Sequence, residues 1–146
     1  MPPTTERPTQ SAKIWITRAA PQVRSFCSNE RSGKWCLRCE TNEVDEAWQR
    51  ICGLLDRGEL LVAKVSTVGS QRLSGFRTHV ICIYTLDWED RAEVGRVRQV
   101  LREAGFATSI GYKRDIDTMM PQPGRPEFLY EDANFPEPPK LAPILT

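Results

Sequence analysis

Histidine is almost missing from this chain: His79 is the only one among 146 residues. A histidine-rich metal site is therefore excluded, and a metal-binding role would have to rest on cysteines and carboxylates. A dominant charge sign is missing too. Lys and Arg number 20 against 19 Asp and Glu, for a net charge of +1. That balance excludes a disordered polyelectrolyte and argues against strong nonspecific binding to nucleic acid. No apolar run approaches the roughly 20 residues of a membrane helix, so no membrane partner is expected. The N-terminus is polar and proline-rich, without the apolar core of a secretory leader, which predicts a cytoplasmic protein.

Proline is also missing where it would matter. The chain has 11 prolines, and none falls between residues 22 and 120. Proline breaks helices and central strands, so its clustering at the ends marks them as extended arms. The expected organisation is a flexible proline-rich arm over 1–12, a single α+β domain over 13–120, and a proline-rich C-terminal arm over 121–146. Phe128, Leu129, Tyr130 and Phe135 give that last arm the means to pack in part on the body. Pro136-Glu137-Pro138-Pro139 resembles an extended ligand segment for a partner module.

The chain has five cysteines, an odd number, which points to free thiols in a reducing compartment. Cys36-x-x-Cys39 is half a zinc site, but no second pair stands at ligand spacing. The pair falls on an expected strand, where positions three apart face opposite sides. Asp115 and Asp117 read as turn residues, because the other ligands of a calcium loop are missing. No metal and no cofactor are expected.

Within the body, apolar periodicity predicts two helices. One spans 43–57, with Val44, Ala47, Trp48, Ile51 and Leu55 as its stripe, Asn42 as cap and Gly58 as stop. The other spans 88–104, with Val94, Val97, Leu101 and Ala104 inward and Asp87 as cap. Its outward face carries Glu89, Arg91, Arg98, Arg102 and Glu103, expected to be solvated. Strands are expected at 34–40, 60–67, 78–85 and 109–113, with a weaker one at 14–17. The order of elements is that of an α+β fold, a mostly antiparallel sheet with two main helices on one face. The open face of such a sheet is a natural binding surface. The stretch from Gly69 to Arg77 reads as a mobile basic loop.

Several motifs then stand in a recognisable order. They are Ser32-Gly33-Lys34-Trp35, Ala63-Lys64-Val65-Ser66-Thr67, and the strand from His79 to Thr85 with Asp87 and Asp90. Leu101-Arg102-Glu103-Ala104-Gly105 follows, then Ile110-Gly111-Tyr112-Lys113 with Asp115, Asp117 and Thr118. Over about residues 30–118 this set resembles the Bles family, named for a basophilic leukaemia-expressed protein and long held as a domain of unknown function. The resemblance implies a curved antiparallel sheet backed by helices, like the cap-binding translation initiation factor. Bacterial relatives are labelled as phosphothreonine lyases. The lyase effectors show a similar order of motifs, met here by Lys34-Trp35-Cys36, the helix from Val44, Ala63-Lys64-Val65, Arg72 with Arg77, and Ile83-Tyr84.

That weaker likeness implies a carbon–oxygen lyase acting on phosphothreonine. Lys64 falls at the position of its base. Lys34, Arg72, Arg77 and Lys113 would grip phosphate. The effector's histidine position falls on Cys36, so His79 is the candidate acid. The alternative reading is a noncatalytic RNA- or nucleotide-binding module on the same fold, with Trp35 and Tyr84 as stacking aromatics, joined by Trp15, Tyr112 and Phe76. The partner is accordingly a phosphorylated protein or peptide, or else RNA or a nucleotide.

Overall fold

The computed structural model describes residues 6–108, 110–124 and 126–131. Phe135 and the Pro136–Pro139 segment lie outside the described residues, as does Ser109. Among the described residues eleven elements follow one another. A 3-10 turn at Pro8–Gln10 precedes β1 (Trp15–Ala19), β2 (Gly33–Cys39), α1 (Thr41–Asp56), β3 (Val62–Ser66) and α2 (Val68–Ser74). Then come β4 (His79–Thr85), α3 (Arg91–Glu103), β5 (Gly111–Arg114), α4 (Asp115–Met119) and β6 (Tyr130–Glu131). The six strands form one sheet in the order β1-β3-β4-β2-β5-β6, with β1–β3, β2–β5 and β5–β6 antiparallel. The fold is α+β, with a mostly antiparallel sheet.

The chain divides into two compact units. One comprises the residues up to Phe26 with Leu37–Ile83, the other Cys27–Cys36 with the residues from Tyr84 onward. In the first, α1 supplies Val44, Ala47, Trp48, Ile51, Cys52, Leu54 and Leu55 to the core. Burying a large apolar side chain stabilises by roughly 1.5–3 kcal/mol. The helix starts at Thr41, two residues before the expected start. Glu40 is its cap, and a capping box joins Glu40 and Glu43 reciprocally. Gly58 takes φ 76° just past the end, where a β-carbon would strain the chain.

In the second unit α3 starts three residues later than expected. Asp90 caps it by accepting from the Glu93 amide at 3.2 Å. Asp87 is occupied elsewhere, by the Glu89 amide and the Arg31 guanidinium. Arg98 is not on a solvated face. It is 1 % exposed and donates to the carbonyls of Phe106 and Thr108 at 2.8 and 2.9 Å, holding the turn after the helix.

Two further differences bear on function. The stretch expected as a mobile loop contains a helix, α2, capped by Thr67, whose hydroxyl accepts from the Ser70 amide. Asp115 and Asp117 are not turn residues. They open α4, and both carboxylates are engaged by cations. No helix among the described residues is long and apolar enough to cross a membrane.

Candidate functional site

In the first unit the antiparallel register places Trp15 opposite Ser66 and Thr17 opposite Lys64. Opposed residues share a face, so these four point one way. The neighbours Ile16 and Arg18 point the other way. Ile16 is buried, and Arg18 reaches Asp56 of α1 through two bonds of 2.9 Å. The side with Trp15 and Lys64 is therefore the one that α1 leaves uncovered. On it the Lys64 ammonium lies 4.1 Å from the centre of the half-exposed Trp15 ring. A cation against an indole face is a favourable electrostatic contact.

Directly after β3 the chain is tied down at both ends of α2. The Thr67 hydroxyl donates to the Lys13 carbonyl, and the Gly69 amide donates to the Ser11 carbonyl at 3.0 Å. A β-carbon on Gly69 would collide with the Ala12 carbonyl, so only glycine permits this approach. At the other end Gly75 turns left-handed at φ 77°, and the Gln71 side-chain amide donates to the Arg77 carbonyl at 2.8 Å. Between these ties no residue of α2 is buried. Leu73 and Phe76 are 75 % and 73 % exposed, and Arg72 and Arg77 are exposed beside them.

His79 is 1 % exposed. Its Nδ1 stands 2.9 Å from the Ser66 carbonyl, which can only accept, so Nδ1 carries the proton. Nε2 is buried and without a hydrogen-bond partner among the described residues. A ring so enclosed reaches no ligand. The expectation of His79 as an acid is corrected by its burial.

The second unit gathers Lys34 and Lys113. They oppose one another in the β2–β5 register and share a face. Like charges in that relation repel, and Asp115 offsets the repulsion. It is 1 % exposed, accepts from the Lys34 ammonium at 2.7 Å, and accepts from the Ser32 hydroxyl at 2.5 Å. Lys34 also donates to Thr118 and lies 5.6 Å from the Tyr84 ring centre. Lys113 is half-buried and has no carboxylate partner among the described residues.

The two expected stacking aromatics are corrected. Trp35 is fully buried and its indole N–H donates to the Val94 carbonyl at 3.0 Å, which leaves no face for a base. Tyr84 is 4 % exposed. Tyr112 is buried as well, edge-on to Trp35, with its hydroxyl 2.6 Å from that of Thr85. Burial pushes its phenol well above the usual tyrosine range, against the lowering effect of the Thr85 bond. Of the expected aromatics, half-exposed Trp15 and exposed Phe76 remain open to a ligand, both in the first unit.

Among the described residues no cluster of three His, Cys, Asp or Glu side chains could hold a metal ion. Cys39 and Cys52 are buried thiols, each pushed up to about 11 chiefly by burial.

Residues 5–120 match the family model described as basophilic leukemia-expressed protein Bles03. Solved structures similar in fold include two eIF4E proteins. One is Ascaris suum eIF4E-3 with the m2,2,7G cap, at 15 % identity and a TM-score of 0.52, covering 68 % of this chain and 61 % of that one. The other is a schistosome eIF4E complexed with m7GpppA and 4E-BP, at 15 % identity and a TM-score of 0.53, covering 71 % and 60 %. The chain thus spans about three fifths of the length of each. At that identity the likeness is one of fold.

Proposed function

Because the chain belongs to the Bles03 family and carries a sheet like that of cap-binding proteins, we propose that it is a noncatalytic module for a nucleotide or single-stranded RNA. The observation that carries this reading is the pairing of Trp15 and Lys64 on the side of β1–β3 that α1 leaves uncovered. A half-exposed indole stacks on any base through its π-face, and a neighbouring ammonium meets the phosphate that follows the base. The two structural neighbours hold methylated guanine caps, which makes such a cap the first nucleotide to try.

An eliminating enzyme is the weaker reading. Removal of phosphate from phosphothreonine asks for a free amine at Lys64 and a proton donor within reach of the ligand. Lys64 packs on the Trp15 ring, and His79 is enclosed with its Nδ1 on the Ser66 carbonyl.

Titration calorimetry with m7GpppA, GTP and a mixed-sequence RNA octamer tests the proposal. Binding of at least one ligand is expected, with Trp15→Ala weakening it roughly five- to hundredfold, the cost of a lost base stack. Trp15→Phe should recover most of that loss. Equal binding by Trp15→Ala, or no binding of any of the three ligands by the wild-type chain, would sink the reading. In the same samples a phosphothreonine peptide should keep its mass; loss of phosphoric acid would reinstate the lyase.

A further inference from the structure

We infer that the ligand is a single-stranded polynucleotide rather than a lone nucleotide, and that the α2 turn, Arg72–Arg77, is its second contact. This rests on the base-binding reading of Trp15 and Lys64. Its own support is independent of them.

The first observation is one of charge. Between Glu59 and Asp87 the sequence contains no carboxylate, while it carries Arg72 and Arg77. The net charge of the whole chain hides this segregation. Arg72 and Arg77 have no ion-pair partner among the described residues, and both are exposed. Unneutralised guanidiniums attract phosphate and grip it through a planar fork.

The second observation is the presentation of Phe76. Its ring is 73 % exposed, and no residue of α2 is fully buried, so core packing accounts for little of the helix. The Thr67 and Gly69 bonds to the Lys13 and Ser11 carbonyls, and the Gln71 bond to the Arg77 carbonyl, hold the segment in place. An exposed aromatic ring on an anchored segment that also carries exposed Arg72 and Arg77 is a base-stacking platform with phosphate contacts at hand. The anchored backbone lowers the ordering cost of binding. Leu73 is equally exposed, and a protein partner would use Leu73 and Phe76 alike as apolar anchors. Two arginines in an acid-free stretch favour the polyanion, to which leucine adds little.

The test uses the full chain, a 5′-labelled mixed-sequence RNA octamer and unlabelled GTP, with affinities followed over a potassium chloride series. The octamer should bind more tightly than GTP. Phe76→Ala should weaken the octamer roughly five- to hundredfold and leave GTP unchanged. The double variant Arg72→Gln/Arg77→Gln should flatten the slope of log K against log salt by about 1.4, or about 0.7 for each phosphate that the variant leaves unneutralised. Leu73→Ala should stay within about twofold of wild type. All of these side chains are exposed, and unchanged circular dichroism will establish that the variants fold. If Trp15→Ala weakens the octamer while the Phe76 and arginine variants do not, the inference falls and the nucleotide site stands. A Leu73→Ala loss as large as that of Phe76→Ala would mark a protein-docking patch and also overturn it. A wild-type chain that binds neither ligand defeats the base-binding reading itself.

Discussion

The paired cations of the second unit contrast with one stretch of the first, which elsewhere pairs Arg18 with Asp56. In the second, Lys34 is tied to Asp115 at 2.7 Å, Arg114 is clamped by Asp117 through two bonds of 2.8 Å, and Arg31 meets Asp87 at 2.9 Å. In the first, the stretch from Leu60 to Ile83 has no acid, and Arg72 and Arg77 stand in solvent. The same residue types therefore do different work. A buried cation beside a carboxylate holds a fold in register, and its charge is neutralised there. An exposed cation without an acid keeps its field for a ligand. The family resemblance gives Lys34 a phosphate grip, and its burial against Asp115 makes it a structural residue first.

Removing one partner of the buried pair tests the comparison most severely. Asp115→Ala leaves the Lys34 ammonium without its carboxylate and the Ser32 hydroxyl without its acceptor. The variant should lose about 3–5 kcal/mol in urea denaturation, the usual cost of stranding a buried charge. The double variant Asp115→Ala/Lys34→Met should recover much of this. A loss below about 1 kcal/mol would show that Lys34 turns to solvent freely, and it would return to the phosphate-binding candidates.

In the first unit the corresponding weak point is steric. Gly69→Ala drives a β-carbon into the Ala12 carbonyl. We expect about 1–3 kcal/mol of destabilisation, the range for forced overpacking. It should come with faster hydrogen exchange at the amides of Gly69 and Ser70, which bond to Ser11 and Thr67. Octamer binding should weaken as well, because the Phe76 platform loses its anchorage. Undiminished octamer affinity in a destabilised Gly69→Ala chain would separate the platform from its ties.

A smaller effect shows only in alkali. Cys39 and Cys52 have a thiol value raised by burial from 9.0 to about 11. Between those values the unfolded chain releases protons that the folded chain keeps. The stability these thiols contribute is therefore full below pH 9 and falls as the pH rises through about 11. At pH 8 iodoacetamide should modify exposed Cys27 well before either buried thiol. Rapid alkylation of Cys39 or Cys52 in the native chain would contradict their enclosure.

Periodicity makes the main elements visible from the sequence. The stripe Val44–Ala47–Trp48–Ile51–Leu55 is buried, and strand alternation locates β2, β3 and β4 to within two residues. Helix starts are misplaced where a side chain has a better use. Asp87 looks like a cap but serves Arg31, and Glu40 takes the place given to Asn42. Alternation also leaves one question open, whether Trp35 and His79 face a site or the core. Only the tertiary partners Val94 and Ser66 answer it, and they stand far along the chain or on another strand. α2 is hidden because Val68, Gly69, Ser70 and Ser74 are poor helix formers, and its ends rest on residues 11–13 and 77. The exposed Phe76 and its two arginines are readable as a motif, although their solvent exposure is not.

The least effect should come from the ion pair nearest to water. Arg31 bonds Asp87 at 2.9 Å, with side chains 56 % and 35 % exposed, and approaches Glu89 at 3.5 Å. The pairing holds the Asp87 carboxyl below its ordinary range, with help from the Glu89 amide, and it raises the guanidinium in turn. Solvent screening removes most of the consequence for folding, since both groups would be well hydrated if separated. Arg31→Gln should leave the urea midpoint indistinguishable from wild type, at low and at high salt alike. Set beside Asp115→Ala, this pits two lysine- or arginine-to-aspartate bonds of similar length in one unit, differing in burial. A large loss from Arg31→Gln would mean that bond geometry, rather than burial, decides which cations hold this fold together.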